Sequence, residues 1–522
     1  MADLNHECGI CGVYLLPGGE LPAWAPTEIG TEVSRLVPRM LLDLQNRGQL
    51  AAGMTGYNPS RNHLLTTYKG LGNVNEAFRM NHREETAAIM SSLAGPVGIG
   101  HVRYATCGPE DLSYAQPFER FHGCKWKWFA FSFNGQLANY ASLAGDLLDK
   151  QDYHLTRDTD TEVIMHHLSY QLRADRPDLA TMFRNLSRIF DGAYNLIYLN
   201  AMGEMAALRD PLGIRPLCWA REKDLVAFAS ESVALSNLGF RKVQSLEPGE
   251  LILVGPDGLR RDTVGKAKNR AHCFFEWIYF ANVASELDDR SVYQVRAALG
   301  RELAATEEID IDDDVIVVPV PDTAKAAADA MAFALKRPSV EGLFRNRYVG
   351  RTFIQGGDRL ERARAKYTPV RQVLEGKRVI LVEDTIVRST TMQSLLKIMR
   401  ELGGAKEIHV RVACPPIVAP CFYGIDMSTV NELFAPKFMK AGDDVSPETA
   451  AAMAKALGAE TLRYLTQESL ARAIDLPGSE LCRACVGGGY PTPEGRRLYQ
   501  VALEAGRNGT VGRVYDRISA VR

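Results

Sequence analysis

Hydrophobic positions follow two different patterns along the chain, and the pattern changes near residue 265. Before that point, short apolar runs predict strands over 97–104, 126–133 and 193–199. Apolar residues spaced three and four apart predict helices over 33–45 and 160–171. Because the strands come singly and in pairs, we expect a layered α/β domain with mostly antiparallel sheets.

Beyond about residue 290, each apolar run is followed by a helical pattern. Strands are predicted over 315–320, 379–382 and 408–413, and amphipathic or alanine-rich helices over 324–335 and 392–402. Strands that alternate with helices are typical of βαβ units, so this half predicts a parallel sheet. After residue 470 the sequence shows little regular pattern apart from a Cys-x-x-Cys pair.

Composition places the chain among ordinary globular proteins. The 522 residues are 46% hydrophobic and 24% charged, enough for several domains, and a net charge of −2 gives no reason to expect nucleic acid or anionic membrane as a partner. No apolar run reaches the ~18 residues of a membrane span. Residues 1–7 are short and acidic, unlike a signal peptide, so the ten cysteines are expected in the reducing cytoplasm.

The most informative segment runs from residue 378 to residue 391. A buried strand is predicted to end at the acid pair Glu383 and Asp384, followed by a hydroxyl-rich loop and a helix. Paired carboxylates suit Mg²⁺ or a sugar diol, and the N–H groups of a helix N-terminus favour phosphate. Further phosphate donors are expected from the loop: Thr385, Arg388, Ser389, Thr390 and Thr391.

Acids at this position could also act only as favourable charges at a helix N-terminus. The ordered succession of strand, acid pair, hydroxyl loop and helix favours a site for a phosphorylated sugar instead. The segment resembles the phosphoribosyl-diphosphate loop of type I phosphoribosyltransferases, which implies that the acids contact the ribose and the loop binds its 5-phosphate.

A second constellation lies in the first half. Cys8 stands at the entry to a β run, Arg103 ends a strand, Asn134 and Gly135 end another, and Asp160 begins a helix. Taken singly, a cysteine there is usually a small apolar filler and an acid is usually a helix cap. Together they match the needs of glutamine hydrolysis: a thiolate, two oxyanion donors, and charges for the substrate carboxylate and ammonium.

This set resembles the class II glutamine amidotransferases of the N-terminal-nucleophile type. The resemblance implies that Cys8 is the nucleophile, that Asn134 and Gly135 form the oxyanion hole, and that Arg103 and Asp160 bind glutamine. In this family the α-amino group of the first residue acts as the base, so we expect removal of the propeptide 1–7 by cleavage between Glu7 and Cys8.

Carrying both domains, the chain resembles the amidophosphoribosyltransferase family, and the likeness includes the segments 209–217, 230–235 and 345–354. It implies formation of 5-phosphoribosylamine from glutamine and phosphoribosyl diphosphate, the first step of de novo purine synthesis. By this resemblance Mg²⁺ is held by Thr323, Glu383 and Asp384. The same resemblance implies that phosphoribosyl diphosphate is bound by the following residues: Arg347, Asp384, Thr385, Arg388, Ser389, Thr390 and Thr391.

Cysteine spacing adds a further expectation. By itself, the pair Cys482 and Cys485 could be half of a zinc site, a redox pair or two ordinary cysteines. Members of the family with a propeptide also hold a [4Fe–4S] cluster, which needs four thiolates. The resemblance assigns these to Cys273, Cys421, Cys482 and Cys485, whereas spacing alone does not separate Cys421 from Cys414.

The predicted fold is therefore an N-terminal-nucleophile αββα sandwich followed by a type I phosphoribosyltransferase domain with a parallel sheet. The expected boundaries are a propeptide at 1–7, a glutaminase domain at 8–265, a transferase domain at 266–470 and a C-terminal segment at 471–522. The resemblance further implies inhibition by purine nucleotides and a homotetramer or homodimer.

Several positions depart from the residues usual in the family: Asn46, Leu50, the segment 282–284, Arg345, Glu383 and Ser389. Serine replaces a glycine at position 389, which costs about 1 kcal/mol or more if φ there is positive. These departures leave open a diverged homologue that binds purine nucleotides or phosphoribosyl diphosphate without turnover. The intact Cys8, Arg103 and Asn134 favour an enzyme.

Overall fold

The fold has the two predicted parts, one with antiparallel sheets and one with a parallel sheet. The computed structural model describes residues 8–104, 111–150, 153–173, 176–346, 366–427 and 429–508. Within these residues, two large antiparallel sheets come first and a parallel sheet follows them. Residues 1–7, the expected propeptide, and Arg347 lie outside the described residues.

The first antiparallel sheet carries the N-terminal strand at its centre. Gly9–Leu15 is buried along its whole length and pairs with Val97–Arg103 on one side and Leu225–Ala229 on the other. In spatial order the seven strands that the structure describes are Val243–Ser245, Cys218–Glu222, Leu225–Ala229, Gly9–Leu15, Val97–Arg103, Ala51–Tyr57 and Leu65–Leu71.

The second antiparallel sheet packs face to face against the first. Ile10 and Ile99 of the first sheet share a buried apolar layer with Ile197 and Ile252 of the second. In spatial order its six described strands are Gly258–Thr263, Glu250–Gly255, Met205–Leu208, Gly192–Asn200, Phe129–Leu137 and Phe118–Arg120.

Helices cover the outer faces of both sheets, which completes the predicted αββα sandwich. Val37–Asp43 and Arg83–Leu93 pack on the first sheet, and Asp160–Gln171 and Leu179–Ile189 pack on the second. The remaining helices of this half are Val74–Ala77, Tyr140–Lys150 and Ser232–Ser236, with 3-10 turns at Thr27–Ile29, Val33–Leu36, Leu112–Tyr114 and Lys125–Lys127.

The second half is built on four parallel strands. Their order in the described sheet is Val315–Pro319, Arg378–Glu383, Glu407–Val412 and Thr461–Tyr464. The helices that the structure describes in this half are Val292–Ala305, Lys325–Leu335, Arg371–Leu374, Ser389–Glu401, Pro447–Leu457, Gln467–Ile474, Ala484–Gly487 and Pro493–Arg507. Short 3-10 turns lie at Val430–Glu432, Ala435–Lys437 and Gly478–Glu480. Two short antiparallel pairs also lie in this half: Glu286–Leu287 with Arg290–Ser291, and Leu343–Arg345 with Tyr367–Pro369.

Two short elements connect the halves. The strand His272–Cys273 pairs in parallel with Leu481–Cys482, which draws the C-terminal segment onto the region between the domains. A π-helix, Glu276–Phe280, follows immediately, and all five of its residues are buried. Among the described residues, no helix is both long and apolar enough to span a bilayer.

The sequence shows little regular pattern after residue 470, yet this segment contains a long helix. Pro493–Arg507 is a helix whose first turn is capped by the Thr492 side chain, which accepts the N–H of Gly495. Only Gly495 and Leu498 of this helix are buried, so the sequence offered too few apolar repeats to reveal it.

Three predicted elements have bounds that differ from those in the structure, each for a local reason. The helix expected at 392–402 starts at Ser389, because Arg388 takes the N-cap position. The strand expected at 126–133 is Phe129–Leu137, since Lys125–Lys127 form a 3-10 turn. The helix expected at 33–45 divides into a 3-10 turn and Val37–Asp43, whose first turn contains a proline.

Candidate active site

Cys8 lies at the start of the central strand of the first sheet. Its neighbour Gly9 is opposite Val102, so the cysteine lies beside the end of the strand that carries Arg103. The Cys8 thiol points to the carbonyl oxygen of Tyr104 at 3.6 Å and is partly exposed. By contrast, burial raises the pKa of the Cys11 thiol, which makes Cys8 the accessible candidate nucleophile of the two.

Asn134 is connected to the nucleophile strand through one serine. The buried Asn134 Nδ2 donates to Ser230 Oγ at 3.5 Å, and the same oxygen accepts the Ile10 N–H at 3.0 Å. The Ser230 N–H in turn donates to the Ile10 carbonyl at 2.9 Å. Sequence reasoning noted Ser230 only within a matching segment and did not assign it this connection.

Gly135 is required by its surroundings. Its φ is +147°, and a Cβ at this position would lie 2.0 Å from the carbonyl oxygen of Ala193. An alanine here would therefore force the backbone apart at the point where an oxyanion donor is expected.

The two glutamine-binding candidates flank this strand end. Arg103 is buried, with its guanidinium carbon 5.4 Å from the centre of the Tyr114 ring. Asp160 begins its helix, and its Oδ2 accepts the Leu137 N–H at 3.2 Å, two residues beyond Gly135. Burial raises the pKa of Asp160 to about 6, while hydrogen bonds from Leu137 and Thr161 oppose that shift.

The structure thus collects the five glutaminase candidates at one end of the two sheets. A fixed thiol, an amide donor, a tightly packed glycine, a guanidinium and a carboxylate form the set required to bind and hydrolyse glutamine. The residues in question are Cys8, Arg103, Asn134, Gly135 and Asp160.

The acid pair lies at the carboxyl end of a central parallel strand, where ligands bind in open α/β sheets. The Thr323 hydroxyl donates to Asp384 Oδ2 in a close contact. The other oxygen, Asp384 Oδ1, is buried and accepts no hydrogen bond within the described part of the chain. Burial and the neighbouring Glu383 charge raise the pKa of Asp384, so a cation here would relieve the repulsion.

Two phenols that sequence reasoning missed lie close to the acid pair. Burial raises the pKa of both Tyr279 and Tyr367, and the charges of Glu383 and Asp384 raise it further. Tyr279 belongs to the π-helix and Tyr367 to a short strand, so no local motif could have assigned them to this site.

The phosphate loop lies between a strand and a helix, as predicted, but the helix begins at Ser389 and includes three of the expected phosphate donors. Thr385 is buried, and Ser389, Thr390 and Thr391 form the first, half-buried turn of the helix, whose N–H groups have no partner within the helix. Arg388 is at the N-cap, but its Nη2 is 3.3 Å from Glu432 Oε2. It is therefore held by an acid as well as being near the expected phosphate position.

The backbone strain that a positive φ would cause at Ser389 is absent. Ser389 is the first residue of the helix Ser389–Glu401 and is not among the described non-glycine residues with a positive φ. Serine adopts this helical conformation without a steric penalty.

The four cysteines expected to share a cluster come together from three distant segments. Cys273 and Cys482 are opposite each other on the paired strands, and all four thiols are buried. Burial raises the pKa of Cys485, and the charges of Cys421, Cys482 and Cys273 raise it further. Cys414 also acts on Cys485, yet its own pKa is raised by burial and by Asp384, which places it toward the acid pair.

No group of three His, Cys, Asp or Glu side chains in the described ranges is close enough to hold a single metal ion. A four-iron cluster spaces its thiolates more widely than one ion does. Cys421, Cys482 and Cys273 all act electrostatically on Cys485, and Arg215 Nη1 lies 3.6 Å from Cys273 Sγ, so these four buried thiols fit such a cluster chemically.

Comparisons with known proteins agree with this architecture. A family model described as "Glutamine amidotransferase domain" matches residues 102–237. The amidophosphoribosyltransferase of Methanothermobacter thermautotrophicus is 37% identical over 497 residues, which are 94% of this chain and 96% of the relative. That of Bacillus subtilis is 34% identical over 495 residues, covering 94% and 95% respectively.

A solved structure supports the same assignment. Glutamine phosphoribosylpyrophosphate amidotransferase from B. subtilis, complexed with ADP and GMP, superposes with a TM-score of 0.79 at 33% identity, covering 93% of this chain and 98% of that one. The likeness extends over both domains and nearly the full length of each relative. The chain belongs to the amidophosphoribosyltransferases, which are glutamine amidotransferases and pentosyltransferases.

Proposed function

We propose that the protein converts glutamine, water and phosphoribosyl diphosphate into 5-phosphoribosylamine, glutamate and diphosphate. One observation supports this most directly: a glutaminase-type site and a phosphoribosyl-type site are joined by the buried π-helix Glu276–Phe280. Glu276 forms an ion pair with Arg47 of the first domain, whereas Tyr279 lies beside Asp384 of the second.

In the glutaminase half, the Cys8 thiolate attacks the amide carbon of glutamine. The Cys8 α-amino group, once freed, accepts the thiol proton and returns it to the leaving ammonia. Asn134 and Gly135 stabilise the negative oxygen of the tetrahedral intermediate. Water then hydrolyses the glutamyl thioester, releasing glutamate, while Arg103 and Asp160 hold the substrate carboxylate and ammonium.

In the transferase half, ammonia attacks C1 of the ribose as the C1–oxygen bond to diphosphate breaks, and the new amine loses one proton. Glu383 and Asp384 hold the ribose hydroxyls while positive charge develops on the ring. Thr385, Ser389, Thr390 and Thr391 donate to the 5-phosphate, together with the N–H groups of the first helical turn.

Thr323, Glu383 and Asp384 would hold Mg²⁺, because two carboxylates and a hydroxyl are oxygen ligands that this ion prefers. When bound, the ion neutralises charge on the diphosphate. Arg347, expected to contact the diphosphate, lies outside the described residues.

Paired variants test the two activities separately. We expect Cys8→Ala to abolish glutamine-dependent product formation but retain activity with high ammonia, and Asp384→Asn to lose product formation with either nitrogen source. The assay measures phosphoribosyl-diphosphate-dependent glutamate release and diphosphate formation. Loss of both activities in Cys8→Ala would contradict two separable sites, and absence of turnover in the wild type would favour a non-catalytic binding protein.

The α-amino mechanism requires removal of residues 1–7. Intact-mass measurement of the active enzyme should give a chain that begins at Cys8. Full activity in a chain that retains Met1–Glu7 would rule out this base.

We further propose that Cys273, Cys421, Cys482 and Cys485 hold a [4Fe–4S] cluster, which would tie the C-terminal segment to both domains and play no part in turnover. Cys414 offers a matched control, because it is also buried and close to Cys485. In anaerobically purified protein, Cys421→Ser should lose the bound iron and the broad visible absorbance, whereas Cys414→Ser should keep both. Stoichiometric zinc without iron, or the reverse result for the two variants, would overturn this assignment.

We also propose that purine nucleotides regulate the enzyme, because the structure of the B. subtilis relative contains ADP and GMP. Inhibition of ammonia-dependent turnover by AMP, ADP or GMP would support it. A cytoplasmic location and a homotetramer or homodimer are also proposed, and light scattering of the native enzyme tests the assembly.

A further inference from the structure

The loop that carries Cys421 touches the strand end that carries the oxyanion candidates. The Gly424 N–H donates to Gln136 Oε1 at 3.2 Å, joining residues 288 positions apart. A Cβ on Gly424 would lie 3.2 Å from the carbonyl carbon of Gly135 and 3.3 Å from its oxygen. The backbones are therefore packed closely at a point where the two domains meet.

Both glycines have conformations that allow this approach. The φ of Gly424 is +105° and that of Gly135 is +147°, values that side-chain-bearing residues rarely adopt. A Cβ on Gly135 would in turn lie 2.0 Å from the Ala193 carbonyl oxygen and 3.1 Å from the Tyr194 Cα. The Cys421 loop is therefore packed directly against Gly135, the oxyanion candidate, with no room for a side chain between them.

The loop itself is held by a buried guanidinium. Arg215 Nε and Nη2 donate to the Tyr423 carbonyl at 3.1 and 2.7 Å, and the Tyr423 N–H donates to Cys421 Sγ at 3.4 Å. Arg215 Nη1 lies 3.5 Å from Glu276 Oε1. The loop therefore presents the Gly424 N–H to Gln136 from a fixed position.

Three consecutive residues at the strand end have three different functions. Gly135 is the oxyanion candidate, the Gln136 side chain accepts from Gly424, and the Leu137 N–H donates to Asp160. Oxyanion donors are effective only when they are fixed before charge develops, because reorganisation during the reaction costs free energy.

We propose that Gln136 is a positioning residue for glutamine hydrolysis, holding Gly135 in place through its hydrogen bond to Gly424 of the Cys421 loop. The proposal rests on the proposed roles of Cys8, Asn134 and Gly135. Gln136 acts on the transition state, whereas Arg103 and Asp160 bind the ground state. Its removal should therefore lower kcat for glutamine and leave KM unchanged.

The test uses Gln136→Met, which keeps the side-chain length but lacks the amide acceptor, and Gln136→Asn, which shortens the reach. We expect kcat for glutamine hydrolysis to fall about 10- to 100-fold in Gln136→Met and less in Gln136→Asn. KM for glutamine should stay within about twofold, and ammonia-dependent kcat and iron content should be unchanged.

Asn139→Leu is the matched control. Its amide donates to the Ile189 carbonyl and accepts the Asp191 N–H, so the variant loses two contacts near the same strand without touching Gly424. Wild-type kcat in both Gln136 variants overturns the proposal, as does a rise in KM alone or an equal loss in Asn139→Leu. A wild type that fails to hydrolyse glutamine would instead refute the proposed function, and these outcomes are distinguishable.

Discussion

At the scale of single residues, burial assigns different roles to similar side chains. Cys8 and Cys11 are three positions apart, yet Cys11 is fully buried and its pKa is raised, whereas Cys8 lies partly exposed beside Tyr104. Asp160 is half-buried: desolvation raises the pKa of its carboxyl group, while the N–H groups of Leu137 and Thr161 partly stabilise its charge.

The raised pKa of Asp160 predicts a specific pH dependence. Above about pH 6 the carboxylate is charged, as its proposed role of holding the glutamine ammonium requires. Below that value it becomes protonated and this attraction is lost. We expect kcat/KM for glutamine to fall by up to about tenfold per pH unit below pH 6, in addition to the titration of the α-amino base.

Asp160→Asn provides the control for this prediction. Its kcat/KM should be lower at neutral pH and should lack the step near pH 6, while ammonia-dependent turnover keeps its own profile. An identical pH profile in wild type and Asp160→Asn would show that another group titrates.

At the scale of elements, the helix Ser389–Glu401 explains why serine is tolerated in the phosphate loop. Arg388 is extended, with φ of −114° and ψ of 145°, and Ser389 enters the helix directly. No position in this turn demands a left-handed conformation, and the serine hydroxyl adds a donor next to the free helical N–H groups.

Ser389→Gly should therefore weaken the site. The variant loses a hydroxyl donor to phosphate, and we expect KM for phosphoribosyl diphosphate to rise about tenfold, as for a hydrogen bond to a charged group. Glycine also lowers helix stability by up to about 1 kcal/mol. Steady-state kinetics with ammonia as nitrogen source measures the effect.

Ser394→Gly is the control, because Ser394 lies one turn further on and its hydroxyl donates to the Thr390 carbonyl. It should share the loss of helix stability but leave KM unchanged. A lower KM or higher stability in Ser389→Gly would indicate that serine is strained after all.

At the scale of the whole molecule, a buried ion network joins the domains. Arg47 Nε pairs with Glu231 Oε1 at 2.6 Å and its Nη2 pairs with Glu276 Oε2 at 2.5 Å, with all three side chains almost fully buried. Two departures from the usual family residues meet the same Glu231 carboxylate: Asn46 donates to Oε1 and the Asn282 N–H to Oε2.

Removing one member of such a network leaves a buried charge without compensation. Arg47→Leu should lower the free energy of unfolding by about 3–5 kcal/mol, measured by urea denaturation under anaerobic conditions. The exposed pair Arg260–Asp178 offers a comparison, and Arg260→Leu should cost less than about 1 kcal/mol. Equal effects of the two changes would argue against a stabilising interdomain network.

The same network contacts the element that separates the two sites. Arg296, itself buried, donates to the carbonyls of Trp277, Tyr279 and Ala281, which fixes the π-helix between the glutaminase residues and the acid pair. Buried polar contacts therefore hold the element that lies between the two candidate sites.

The amino-acid sequence by itself determined the local features. Strand, acid pair, hydroxyl loop and helix are contiguous at 378–391, so their backbone geometry follows from short-range preferences. Likewise, the alternation of strands and helices predicted the parallel sheet. The resemblance of the sequence motifs to known enzyme families indicated glutamine hydrolysis and phosphoribosyl transfer.

Only the tertiary structure decided what depends on distant contacts. It placed Tyr279 and Tyr367 beside Asp384 and gave Gln136 its partner Gly424. It also brought Cys273 opposite Cys482 from more than 200 positions away. Sequence spacing carries no information about such pairs, because burial and packing bring them together only after both domains and the C-terminal segment have assembled.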